Sequence, residues 1–154
     1  MTRARVEDYA KRCKGRFKLH ELGYSRIMRQ EALDWWSEAK HNFRQARKNF
    51  DVEEYSVAAF LCHQAAEKAL KALYIAMKAG LPPRGQDLVK LGKALDAEEV
   101  MDELRILNPH YVVARYPNAA NTVPSEAYTR EICERCLAAA QRVLEWVKSR
   151  GNLP

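Results

Sequence analysis

EYSVAAFLCHQAAEKALKALYIAMKAG, residues 54–80, is the stretch that decides the fold. Ala58, Cys62, Ala65, Ala69, Ala72 and Ala76 recur at spacings of three and four, so they line one face of a helix, with Leu61, Leu73 and Met77 beside them. Small side chains let a neighbouring backbone approach closely, and the stretch therefore predicts the central helix of a bundle. Asp51, Glu53 and Glu54 place negative charge at its start, where the helix dipole favours it. Gly80 closes the helix and Leu81-Pro82-Pro83 prevents its continuation.

Upstream, Ile27, Leu33, Trp36, Ala39, Phe43, Ala46 and Phe50 repeat at helical spacing and predict a long helix from about residue 27 to 50, with Ser25 as its candidate N-cap. Downstream, shorter helices are predicted near residues 87–95 and 98–107, and Asn108-Pro109 bends the chain. Residues 111–116 read as a helical turn or two ended by Pro117, and PNAANTVP, residues 117–124, as a proline-bounded loop. Ser125-Glu126 opens the last helix, whose stripe of Ile132, Cys136, Ala139, Ala140, Val143 and Val147 runs to about Lys148. Nothing alternates at period two. The expectation is an all-α, up-and-down bundle of four to five helices over residues 30–150, behind a basic N-terminal extension at 1–29.

The totals agree with one domain. A chain of 154 residues buries enough surface to need no disulfide or metal staple. No apolar run approaches the length of a membrane-spanning helix, and MTRARVEDYAKRCK at the start lacks the apolar core of a secretion signal. Cys13, Cys62, Cys133 and Cys136 read as reduced thiols of a cytoplasmic protein. Cys133 and Cys136 form a CxxC on a helix without a second Cys/His pair, so no zinc site is expected. With no phosphate-cradling glycine loop and no nucleophile elbow, no cofactor is expected either. Trp35, Trp36 and Trp146 read as core or interface aromatics; the adjacent Trp35 and Trp36 cannot both point inward.

Charge is unevenly placed. Residues 1–30 hold nine Arg/Lys against three acids, and the remainder is balanced, so the whole net charge of +6 lies in the first thirty residues. Residues 3–14 are helix-compatible up to Gly15, and Phe17, Leu19, Leu22 and Tyr24 offer apolar anchors by which the segment docks on a helical surface. Docking leaves Arg12 and Lys14, with their neighbours, as a basic face for nucleic acid. A partner-docking or solvated segment is the alternative.

Three stretches in order carry a family resemblance: Ala32-Leu33-Asp34-Trp35-Trp36 with Glu38-Ala39 and Asn42-Phe43; His63-Gln64-Ala65-Ala66-Glu67-Lys68-Ala69-Leu70-Lys71-Ala72-Leu73; and Tyr111-Val112-Val113-Ala114-Arg115-Tyr116-Pro117-Asn118 before the closing helix. Together they cover about residues 30–148 and resemble the HEPN family of helical domains. The resemblance implies a bundle that pairs as a symmetric homodimer, often encoded beside a small nucleotidyltransferase as a toxin–antitoxin-like or nucleotide-handling pair. Members of that family that cut RNA carry an arginine followed after four to six residues by a histidine. Arg115 matches the arginine, but the corresponding positions hold Ala120, Asn121 and Thr122. Gln86 also stands where the family often has histidine.

Two readings of the candidate residues stay open. Arg115 can clamp a phosphate while Tyr116 stacks on a base, with Asn118 alongside, or Arg115 can pair with a carboxylate and fix the loop. His63, Glu67 and Lys71 recur at helical spacing opposite the alanine face, either as a solvated stripe or with His63 and Glu67 facing and orienting Arg115. Without the histidine, proton transfer during 2′-hydroxyl attack loses a placed acid or base, worth on the order of 10²–10⁴ in rate. His110, five residues before Arg115, is expected to point away from it. The sequence therefore favours a HEPN-like protein that binds RNA or nucleotide, is weakly or non-catalytic, and acts as a dimer with a nucleotidyltransferase-domain partner. The alternatives are a metal-independent ribonuclease toxin using Arg115, and a structural dimerisation module.

Overall fold

A computed structural model of the protein describes residues 19–154, with side chains from residue 26 onward. Two long antiparallel helices, α1 (Leu19–Asp51) and α2 (Tyr55–Lys78), form the frame. Two short helices, α3 (Leu88–Ala94) and α4 (Met101–Leu107), follow, with 3-10 turns at Glu98–Val100 and Asn108–Tyr111 on either side of α4. The single helical turns α5 (Pro117–Ala120) and α6 (Pro124–Ala127) lead to the closing helix α7 (Arg130–Gly151). No strand occurs among the described residues. The all-α bundle is as the sequence predicts.

The hairpin between α1 and α2 is made by three residues. Glu53 takes a left-handed φ of 64° and Glu54 N–H donates to the Asn49 carbonyl at 2.9 Å. Phe50 and Tyr55 meet across the turn with ring centres 5.7 Å apart. Ala58, Ala65, Ala69 and Ala72 are fully buried, which is what a close helix–helix approach requires. Trp36 fills the space between α1 and the C-terminal end, and its indole N–H donates to the Pro154 carbonyl at 2.7 Å.

The elements differ from the sequence expectation at four places. Helix α1 begins at Leu19, so Ser25 lies inside it and is not a cap. No proline interrupts the segment, and a single interior glycine such as Gly23 costs only about 1 kcal/mol relative to alanine. The left-handed residue ending α2 is Ala79, at φ 46°, one position before Gly80. Pro117 ends the turn before it as expected but also starts a helical turn within the expected loop, since its missing N–H costs nothing at a first position. Helix α7 starts at Arg130, where Thr129 accepts from Ile132 N–H at 3.3 Å; Ser125-Glu126 belong to α6.

The short elements close over the third side of α2. Asp87 caps α3 by accepting from Lys90 N–H, and Asn108 accepts from Leu88 N–H at 2.8 Å. Gly92 lets α4 approach α3, because a Cβ there would lie 2.5 Å from a Leu104 methyl. With α1, α7 and this cover around it, α2 is buried on all sides through its middle. Its buried residues include Ser56, His63, Glu67 and Lys71.

Candidate functional site

Arg115 projects from the segment between the Asn108–Tyr111 turn and α5, and it is exposed. Its Nε donates to the Tyr111 carbonyl at 2.7 Å, which fixes the root of the side chain. The guanidinium carbon then lies 4.2 Å from the Tyr111 ring centre, 4.7 Å from Phe60 and 5.0 Å from Tyr116. Three aromatic rings thus hold the cation without neutralising it. Among the described residues, Arg115 forms no ion pair with a carboxylate, so the loop-fixing carboxylate considered from sequence is not the arrangement found. The terminal guanidinium nitrogens carry the donor geometry that suits a phosphate.

Tyr116 is 48% exposed and Asn118 is exposed on the first turn of α5. Ala120, at the end of that turn, is half-buried, and Asn121 follows in the left-handed conformation at φ 54°. Val57, one helical turn before Phe60 on α2, is exposed, as are Val112 and Val123 on the segments flanking Arg115. The sequence reading did not single these out, because an isolated valine carries no signal until the fold gathers the segments.

His63, Glu67 and Lys71 do not form a solvated stripe. His63 is fully buried, with Nε2 donating to the Gln86 carbonyl at 3.0 Å and its ring 5.3 Å from that of Tyr111. It therefore backs the ring on which Arg115 rests. Burial pulls the His63 imidazole down to about 4, against the upward pull of the Gln86 hydrogen bond, and the nearby His110, Arg115 and Lys71 push it the same way as burial. A neutral ring that donates from Nε2 leaves Nδ1 to accept, and Gln64 Nε2 lies 3.4 Å from it. Glu67 turns to Lys71, with Oε1 2.6 Å from Nζ, and its other oxygen accepts from Gln64 at 3.2 Å. The glutamate thus belongs to a buried pair on the α1 side of α2, where Lys71 Nζ sits 5.5 Å from the Trp35 ring centre.

His110 is engaged as well. Its Nδ1 is 2.5 Å from Tyr128 Oη, the rings meet edge to face, and burial lowers its pKa. Cys62, Cys133 and Cys136 are buried free thiols; burial raises Cys62 well above the ordinary range, Cys133 to about 11 and Cys136 to about 12. Thiols so protonated are poor nucleophiles and poor metal ligands. No cluster of metal-ligating side chains occurs among the described residues, and no helix there is long and apolar enough to cross a membrane. Arg12 and Lys14, the basic-face candidates, lie outside the described residues.

Comparison with known proteins converges on the family that the sequence resembles. The HEPN domain family matches residues 32–150. A solved structure from Thermus thermophilus shares 33% identity, with a TM-score of 0.71 over 77% of this chain and 97% of that one. An archaeal HEPN homologue shares 30% identity, with a TM-score of 0.65 over 77% of this chain and 96% of its own. A HEPN domain protein from Thermotoga maritima, at 22% identity and a TM-score of 0.58, covers 75% of this chain and shares the fold. No curated protein matches the chain significantly.

Proposed function

The chain belongs to the HEPN family, and on that premise we propose that it binds RNA or a nucleotide through Arg115 as a symmetric homodimer, with weak catalysis or none. The observation that carries this reading is the state of Arg115: exposed, rooted by its Nε, surrounded by three rings, and without a carboxylate among the described residues. A cation held in this way costs little to order when a phosphate arrives, and the exposed Tyr116 offers an aromatic ring for a base to stack on. Asn118 adds a polar group on the same turn. His63 acts from behind as a neutral support for Tyr111, and Glu67 and Lys71 act through the packing of α2 instead of by contact with the ligand.

The weak-catalysis half of the proposal rests on position 120, which holds alanine where RNA-cutting relatives of this family carry a histidine. His63 and His110 are both buried and both already bonded. The exposed Val57, Val112 and Val123 are apolar side chains that pairing with a second copy would cover. A nucleotidyltransferase-domain protein remains the proposed partner, in a toxin–antitoxin-like module, and Arg12 and Lys14 the proposed auxiliary phosphate contacts.

Fluorescence anisotropy with labelled single-stranded RNA tests the site. Arg115→Ala should weaken binding about tenfold, the value of one charge-assisted contact, and should flatten the dependence on salt by about one phosphate contact. Equal affinity and equal salt slope for the two proteins would overturn the assignment.

A further inference from the structure

Roughly two turns along α2 from Phe60, a cleft of about 300 Å³ opens between α1 and α2, lined by Glu31, Asp34, Trp35, Glu38 and Lys68. We propose that this cleft seats the basic segment at residues 1–18 of the same chain. The lining sets three carboxylates against one ammonium, beside a half-buried indole. Lys68 is already committed, to Asn42 Oδ1 at 2.7 Å and Glu38 at 3.4 Å. Glu31 accepts from the Trp35 indole N–H at 3.2 Å, and Asp34 accepts from the Gln30 amide at 2.9 Å. Both of those partners are neutral, so among the described residues neither carboxylate is balanced by a cation. Carboxylates left without a cationic partner in a cleft favour a guanidinium or ammonium as its occupant.

The complementary charge lies in the same chain. Residues 1–18 contain Arg3, Arg5, Lys11, Arg12, Lys14, Arg16 and Lys18 against Glu7 and Asp8. Helix α1 starts at Leu19, and Glu31 to Glu38 lie 12 to 19 residues farther along it, about 18–29 Å at the rise of an α-helix. An eighteen-residue segment reaches up to about 60 Å when extended, so it can fold back along α1 to the cleft. Each exposed ion pair is weak by itself, but attachment to α1 holds the segment at a high effective concentration. That advantage favours the tethered segment over a free cation or a separate basic protein.

Carbodiimide cross-linking of the full chain, read by mass spectrometry, tests the seat directly. Lys11 or Lys18 should become joined to Glu31, Asp34 or Glu38, with a yield unchanged on dilution. Links only to other carboxylates, such as Asp102 or Glu103, would overturn the proposal. Links formed only between two copies would overturn the same-chain assignment. Trypsin provides a second readout. Glu31→Gln/Asp34→Asn/Glu38→Gln together should speed cleavage within residues 3–18 by about tenfold, because proteolysis follows the population of the undocked segment. Raised salt should do the same to the unaltered chain. Identical cleavage rates, with helix content unchanged, would also overturn it.

Discussion

The guanidinium of Arg115 lies 4.2 Å from the centre of the Tyr111 ring, and the neighbouring imidazole in contact with that ring is His63, 5.3 Å away. A surface cation is thereby connected through one aromatic layer to a fully buried histidine on the central helix. The helix that forms the core of the bundle also sets the position of the exposed arginine.

The first prediction follows from the residue five positions beyond Arg115. Wild-type protein should show little ribonuclease activity, and Ala120→His should raise it by about 10² if α5 brings the new imidazole to the phosphate held by Arg115. The assay is cleavage of single-stranded RNA with metal chelated. Robust metal-independent cleavage by the unaltered protein, abolished by Arg115→Ala, would reverse the reading in favour of a ribonuclease toxin.

The second prediction concerns pairing. Val57, Val112 and Val123 are exposed apolar side chains on segments around Arg115, and a self-complementary interface would remove them from water. Val57→Asp should shift a dimer toward monomer in light scattering while leaving helix content unchanged. A monomeric wild-type protein at tens of micromolar would eliminate the homodimer.

The bundle was legible in the sequence because alanine spacing along α2 and the apolar repeats of α1 and α7 are local signals of helical period. Glycine and proline mark element ends only to within a residue: the left-handed ending of α2 falls on Ala79, and Pro117, which ends one turn, also begins the next. Arg115, Tyr116 and Asn118 lie within an ordered set of motifs and are all exposed. The burial of His63, Glu67 and Lys71 was not legible, since helical spacing gives a face but not what covers it. The cover comes from Gln86 and Tyr111 on one side and Trp35 on the other, residues far away in sequence. The exposed valines and the acidic cleft were missed for the same reason.

The third prediction is a loss of stability in mild acid. Folding lowers the pKa of His63 from 6.5 to about 4, chiefly by burial, and lowers that of His110 in the same direction. The unfolded chain therefore takes up these protons first. Stability is full above about pH 6.5 and falls as the pH drops toward about 4. Complete titration of His63 alone is worth on the order of 3 kcal/mol. Urea unfolding between pH 7 and pH 5 measures the slope above the range of ordinary carboxylates. His63→Gln should flatten it; an unchanged slope would mean that His63 is not the group responsible.

The fourth prediction separates the buried ion pair from the ligand site. Glu67 and Lys71 meet at 2.6 Å with both side chains almost wholly out of solvent. Lys71→Met leaves the Glu67 carboxylate with Gln64 as its remaining close polar partner, apart from the neutral imidazole of His63 at 3.9 Å. An uncompensated buried charge costs about 3–5 kcal/mol, and the Trp35 contact is lost as well. Replacing both members by apolar residues, Glu67→Leu with Lys71→Met, removes the unpaired charge and should recover most of that loss. Denaturant unfolding of the two single variants and the double variant measures the coupling between the residues. The double variant should also bind RNA as tightly as the unaltered protein, because Arg115 is held by Tyr111, Phe60 and Tyr116 and not by Glu67. A stable double variant that binds RNA as weakly as Arg115→Ala would show instead that the glutamate orients the arginine.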